Sequence, residues 1–191
     1  IILIKSNLKV KRKFIFMDVI KKKKIKYRVT YLEMDDAPKF DWPKNLKYKL
    51  SILLAKNFPS WYFLFFYNQV GKKYLWTDWL EKSKEEIDQF VNDKQVLLYT
   101  LIKDGFPCGF YMLDYRKKDV CDISFFGLVE EAIGKGLGKY LLKTAILTAW
   151  DSRKIKKLTV NTCSLDHKSA IYLYQKHGFK AVDYKDCEKL V

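Results

Sequence analysis

Residues 26–34 alternate apolar and polar side chains, and Asp35-Asp36-Ala37-Pro38 ends the run, so a first strand is predicted there. Residues 57–60 then lead into 61–70, a stretch apolar almost all round and closed by Gly71. It predicts a helix that is largely buried or lines a pocket. Ser83 and Glu86 have capping-box spacing and open a helix through Ile87, Phe90 and Val91. Apolar runs at 96–102 and 108–113 flank Asp104-Gly105, a strong hairpin signal, and 120–129 continues the meander. A helix over 137–150, a strand over 157–163, a helix over 169–177 and a short strand over 179–184 complete the pattern. The fold class is α/β: one domain, with a mixed, mostly antiparallel sheet flanked by helices.

Between the last meander strand and the helix at 137 lies Gly134-Lys135-Gly136-Leu137-Gly138-Lys139. Alternate glycines let backbone N–H groups turn inward, and the helix adds its positive dipole end at the same place. The stretch reads as a phosphate cradle. A P-loop needs Ser or Thr after Gly-Lys, but Gly136 and Tyr140 stand there. A dinucleotide fingerprint needs a third small residue where Lys139 or Leu141 stands.

The loop resembles the coenzyme-A loop of the GCN5-related N-acetyltransferase (GNAT) superfamily, Gln/Arg-x-x-Gly-x-Gly/Ala, with Ile133 in place of the Gln or Arg. Residues 165–179 are similar to its second segment, Asn-x-x-Ala-x-x-Leu/Phe-Tyr-x-x-x-Gly-Phe, with His167 in place of the Asn. The resemblance covers the last third of the chain firmly and the middle third by layout. It implies a GNAT fold with splayed central strands, and acetyl transfer from acetyl-CoA directly to an amine. The superfamily closes with a strand beyond the one at 179–184, so the last strand is expected to be short or missing. One side of the acceptor pocket would then be open or completed by another subunit.

The same resemblance implies site residues. Phe126, Gly127 and Leu128 would border the thioester, with a backbone N–H near Leu128 on its carbonyl. Ile133 and the run from Gly134 to Lys139 would hold the pyrophosphate, and His167 would touch the pantetheine arm. Tyr174 stands at the general-acid position, where a phenol near pKa ~10 can protonate a thiolate near ~8.5. Asp122 matches the strand glutamate that serves as base in histone-acetylating members, and as a shorter carboxylate would act through a water. The helical segment before the hairpin would wall the acceptor site, making Tyr67, Asn68, Trp76, Asp78 and Trp79 candidates for an aromatic box with one carboxylate.

Composition adds three points. The net charge of +15 comes mostly from lysine. It is read as solvated surface, while the alternative is a basic protein of this fold acting on nucleic acid or the ribosome without catalysis. Four cysteines without a Cys-x-x-Cys pair and only two histidines suggest neither zinc nor disulfides, hence a reducing cytoplasmic setting. No apolar run is long enough to span a bilayer, so no membrane is expected, while a homodimer is. Residues 1–25 form a lysine-rich arm ahead of an acetyltransferase domain at 26–191. A natural start at Met17 is expected, with the residues before it an upstream reading-frame extension.

Overall fold

Asp104 and Gly105 take φ of 49° and 85°, the left-handed pair that a two-residue hairpin turn requires. They join β3 (Val96–Lys103) to β4 (Phe106–Asp114) in the computed structural model, which describes residues 23–44 and 47–190. The remaining strands and α-helices are β1 (Lys24–Met34), β2 (Leu50–Ala55), α1 (Ser60–Gly71), α2 (Lys84–Val91), β5 (Val120–Leu128), α3 (Leu137–Ser152), β6 (Lys157–Cys163), α4 (Ala170–Lys176) and β7 (Lys180–Leu190). The capping box at α2 is formed, with Ser83 Oγ accepting from Glu86 N and Glu86 accepting from Ser83 N.

The strands make one sheet in the order β2-β3-β4-β5-β6-β1-β7, antiparallel throughout except for β5 beside β6. Successive residues of a strand face opposite sides, and Phe110 and Tyr111 on β4 define the two layers. Phe110 stacks on Phe66 of α1 at 5.1 Å, while Tyr111 hydroxyl lies 3.1 Å from Thr148 Oγ1 of α3. Thus α1 and α2 cover one face and α3 the other. Leu141, Leu142, Ala145 and Ile146 of α3 are fully buried there, each large aliphatic contributing about 1.5–3 kcal/mol.

The expectation of a short or missing last strand is corrected. β7 is eleven residues long and pairs with β1 from Lys24–Leu190 to Glu33–Lys180. β1 lies between β6 and β7, so the last strand is held in the sheet by the first strand of the pattern. Alternation predicted a strand but not its place in the sheet. The predicted arm falls at residues 1–22 outside the described residues, while Lys24 and Ile25 already belong to β1. β2, an edge strand of mixed pattern, escaped the sequence reading. Helix α1 is not buried all round: Trp61 and Phe65 are exposed, and Phe63, Phe66, Tyr67 and Val70 face inward.

Candidate active site

β5 and β6 pair only from Val120–Lys157 to Ile123–Val160. Beyond that point the strands part, leaving Ser124 to Leu128 without strand partners on the β6 side among the described residues. A register shift between Met112 and Leu113 sits at the same place: Met112 pairs with Phe125 and Leu113 with Ile123, so Ser124 is the extra residue of a bulge. The splay expected from the sequence is present, and the bulge re-aims the strand where it opens.

The gap leads into the glycine loop. Gly134 and Gly136 both have φ of 77°, and a Cβ on either would meet nothing within 4 Å. The glycines are therefore needed for conformation and leave the loop open to a ligand. Gly136 caps α3 with no side-chain hydrogen bond, and among the described residues nothing accepts from the amides of Gly134, Lys135 and Gly136. Orphan amides at a helix N-terminus suit a phosphate, so the residues fit the coenzyme that the resemblance implies.

Gap, loop and the aromatic wall around Trp76 and Trp79 bound one cavity of about 650 Å³. Phe126, Gly127, Leu128, Ile133, Gly134, Gly136, Gly138, Lys139, His167 and Tyr174 all line it, as do Tyr67, Trp76, Asp78 and Trp79. Four candidates do not. Leu137 is buried beneath the loop in the core, and Lys135 turns back so that Nζ donates to Glu131 O. Asn68 lies outside the cavity lining, its carbonyl receiving the Lys72 N–H that ends α1. Asp122 borders a second, smaller cavity.

Tyr174 is buried between Phe126 and Phe179, with ring centroids 6.0 and 5.9 Å away. Burial raises its phenol strongly, and the Asp166 and Asp122 carboxylates add to the rise. The hydroxyl thus stays protonated throughout the neutral range. His167 is exposed, and its Nδ1 accepts from Ser169 N at 3.2 Å.

Asp122 accepts from Thr159 Oγ1 at 2.6 Å and from Ser124 Oγ at 3.0 Å. Burial raises its pKa above the usual carboxylate value, with the two hydroxyls pulling the other way. Ser124 itself lines the main cavity, so the carboxylate reaches that space through one hydroxyl.

The aromatic box is assembled around Phe125, whose ring lies 5.7 Å from Tyr67, 6.1 Å from Trp76 and 5.9 Å from Trp79. Tyr67 hydroxyl accepts from Trp79 N at 3.3 Å, and burial pushes its phenol up to about 12. Trp76 Nε1 donates to Asp166 Oδ1 at 3.1 Å, and Asp166 Oδ2 accepts from Thr162 Oγ1 and Cys163 N, both at 2.8 Å. Asp166 is therefore a brace between β6 and the box rather than a cap for α4.

Asp166 stands in the second motif, and Ser124 and Phe125 stand in the strand that feeds the glycine loop, so all three could have been suspected. Tyr27 and Val29 of β1 and Lys189 of β7, which also line the cavity, gave no local signal, because the crossing of β1 into the sheet brings them there.

The profile of the acetyltransferase (GNAT) family matches residues 56–179, and the chain belongs to that family. No curated protein matches the chain. A GCN5-related N-acetyltransferase from Kribbella flavida aligns with a TM-score of 0.58 and 12% identity, over 85% of this chain and 57% of that one. A tandem GNAT protein from the clavulanic acid biosynthesis pathway gives 0.59 and 14%, over 84% and 53%. The chain thus spans little more than half the length of these two, which share its fold. A GNAT family acetyltransferase from Elizabethkingia anophelis, whose structure has acetyl-CoA bound, gives 0.51 and 26%, over 70% and 78%. No helix among the described residues is long and apolar enough to cross a membrane.

Proposed function

We propose that this protein transfers an acetyl group from acetyl-CoA to a primary amine, with both held in the one cavity. The observation that carries the reading is the coincidence of three features: parted strands, a glycine loop with orphan amides, and a buried phenol, all lining the same space. Acetyl-CoA would supply the activated acyl group. The amides from Gly134 to Lys139 would hold the pyrophosphate, and a main-chain N–H near Leu128, on the unpaired side of β5, would polarise the thioester carbonyl.

Tyr174 keeps its proton because it is buried, and serves as the donor to sulfur as negative charge develops there. Asp122 acts as base through Ser124, whose hydroxyl faces the cavity and donates to the carboxylate. A raised pKa makes that carboxylate a better proton acceptor than an exposed one. Tyr27 and Val29 of β1 line the cavity as well and would form part of the acceptor wall.

Calorimetric titration of acetyl-CoA into the purified protein and a Gly138→Glu variant tests the reading. A Cβ at Gly138 would meet the Leu128 and Leu173 side chains only at 3.8 Å, so the variant is expected to fold while setting a carboxylate beside the glycine loop. Binding by the parent and its loss in the variant are expected. A folded parent that binds no acetyl-CoA overturns the proposal.

A further inference from the structure

The rim of the cavity already holds an alkylammonium. Lys189 of β7 keeps its side chain 14% exposed, and Nζ donates to Leu75 O at 2.7 Å and to Asp78 Oδ1 at 2.9 Å. All three residues line the main cavity. Leu75 has φ of 60°, a left-handed conformation that a leucine adopts only under constraint, and its N–H is tied to Lys72 O. The carbonyl is therefore presented at a fixed angle beside the Asp78 carboxylate. A carbonyl and a carboxylate set side by side suit a compact ammonium, which carries three donors on a flexible stem.

Asp78 is 77% exposed, so the pair stands at the mouth, away from buried Tyr174. An ion pair open to water on one side contributes little and is readily exchanged. The acceptor carboxylate expected from the sequence is thus present, but a lysine of the same chain holds it.

Resting on the acetyl-transfer reading of the cavity, we propose that Leu75 O and Asp78 form a subsite for the distal ammonium of a linear diamine, and that Lys189 is its resident stand-in. The diamine displaces Lys189, anchors one charged end at the rim, and extends its other amine past the Trp76 and Phe125 rings toward Ser124. A monoamine can fill only one of these positions.

Titration of 1,5-diaminopentane into ¹⁵N-labelled protein without acetyl-CoA, followed by the Trp76 and Trp79 indole signals, tests the subsite directly. Lys189→Met, which keeps the stem and removes the charge, is expected to bind the probe at least tenfold more tightly than the parent. Lys189→Arg should behave as the parent, and Asp78→Asn should abolish the gain in the Lys189→Met background. Equal affinity in parent and Lys189→Met overturns the proposal, as does a gain that survives Asp78→Asn. Asp78→Asn in the parent background gives a second check, since unchanged binding there also overturns it. A separate acetyl-CoA titration of the parent isolates the two readings: loss of cofactor binding alone defeats the acetyl-transfer reading and leaves the ammonium subsite standing.

Discussion

Trp76 and Asp166 are ninety positions apart in sequence, yet Nε1 of one donates to Oδ1 of the other at 3.1 Å. The bond ties the aromatic wall of the cavity to the turn after β6, where the same carboxylate holds Thr162 and Cys163. The two sides of the cavity are thereby joined through one carboxylate.

Asp166→Ala removes the shared acceptor of all three donors. Leaving partly buried donors unpaired costs about 1–3 kcal/mol, so a lower Tm is expected together with a weaker acceptor KM. Asp166→Asn, which keeps one acceptor oxygen, should recover part of both. A Tm equal to that of the parent in Asp166→Ala counts against the brace.

Tyr174→Phe is expected to lower kcat by about 10²-fold while acetyl-CoA binding, read by calorimetry, stays near the parent value. The hydroxyl has no hydrogen-bond partner among the described residues, so Tm should not fall. Turnover equal to the parent's removes the donor role.

Asp122→Asn tests the relay. Burial favours the neutral carboxyl, so the isosteric amide should be tolerated in thermal melts. On the acid side, turnover of the parent falls as Asp122 gains its proton, and because its pKa is raised this limb lies above the ordinary carboxylate range. The variant should lose that limb and about 10²-fold in kcat, and Ser124→Ala should lose part of the same. A pH profile unchanged in both variants is inconsistent with the relay.

His177 is buried, and desolvation, followed by Lys139, Lys143 and Lys176, holds its imidazole below the usual value, against the pull of the Leu173 carbonyl. The native state therefore binds fewer protons than the unfolded chain. Its contribution to stability is complete above the unfolded value near ~6.5 and is lost as pH falls through the lowered native value. Melting curves from pH 7.5 to 5 should show a decline that His177→Gln flattens. An identical slope in the variant excludes His177 as its source.

Gly127 was read from the sequence as a cofactor contact, and it is also a packing site. A Cβ there would lie 2.2 Å from Val70 Cγ1 of α1. Gly127→Ala should cost about 1–3 kcal/mol in denaturant melts by forcing α1 off the sheet. Val70→Ala should rescue it, because the clash is with that one side chain. Absence of rescue means the strain lies elsewhere.

The parts of the site set by local chemistry were legible. Alternate glycines before an amphipathic run can hardly be anything but an open turn into α3, and Asp104-Gly105 dictated the hairpin. Tyr174 and the aromatic box followed from the spacing of the second motif and from the concentration of rings near 61–79. What was not legible depends on long-range pairing. Nothing around Tyr27 says that it will sit beside β7, and Lys189 looks like any surface lysine until β7 carries it to Asp78. Asp122 shows a second kind of limit. Its offset from the glycine loop puts it on β5, but the bulge at Ser124 decides which cavity each side chain enters.

The position of β1 has a consequence for the order in which the molecule can be finished. Both its neighbours, β6 and β7, are made far later in synthesis, so β1 must remain without a strand partner until β6 is available, and is flanked on both sides only once β7 follows. The meander and its helices can settle earlier, but the wall carrying Tyr27 and Val29 cannot. The cavity is therefore the last part of the domain to acquire its shape, and any partly made chain holds the glycine loop with no enclosed site beside it.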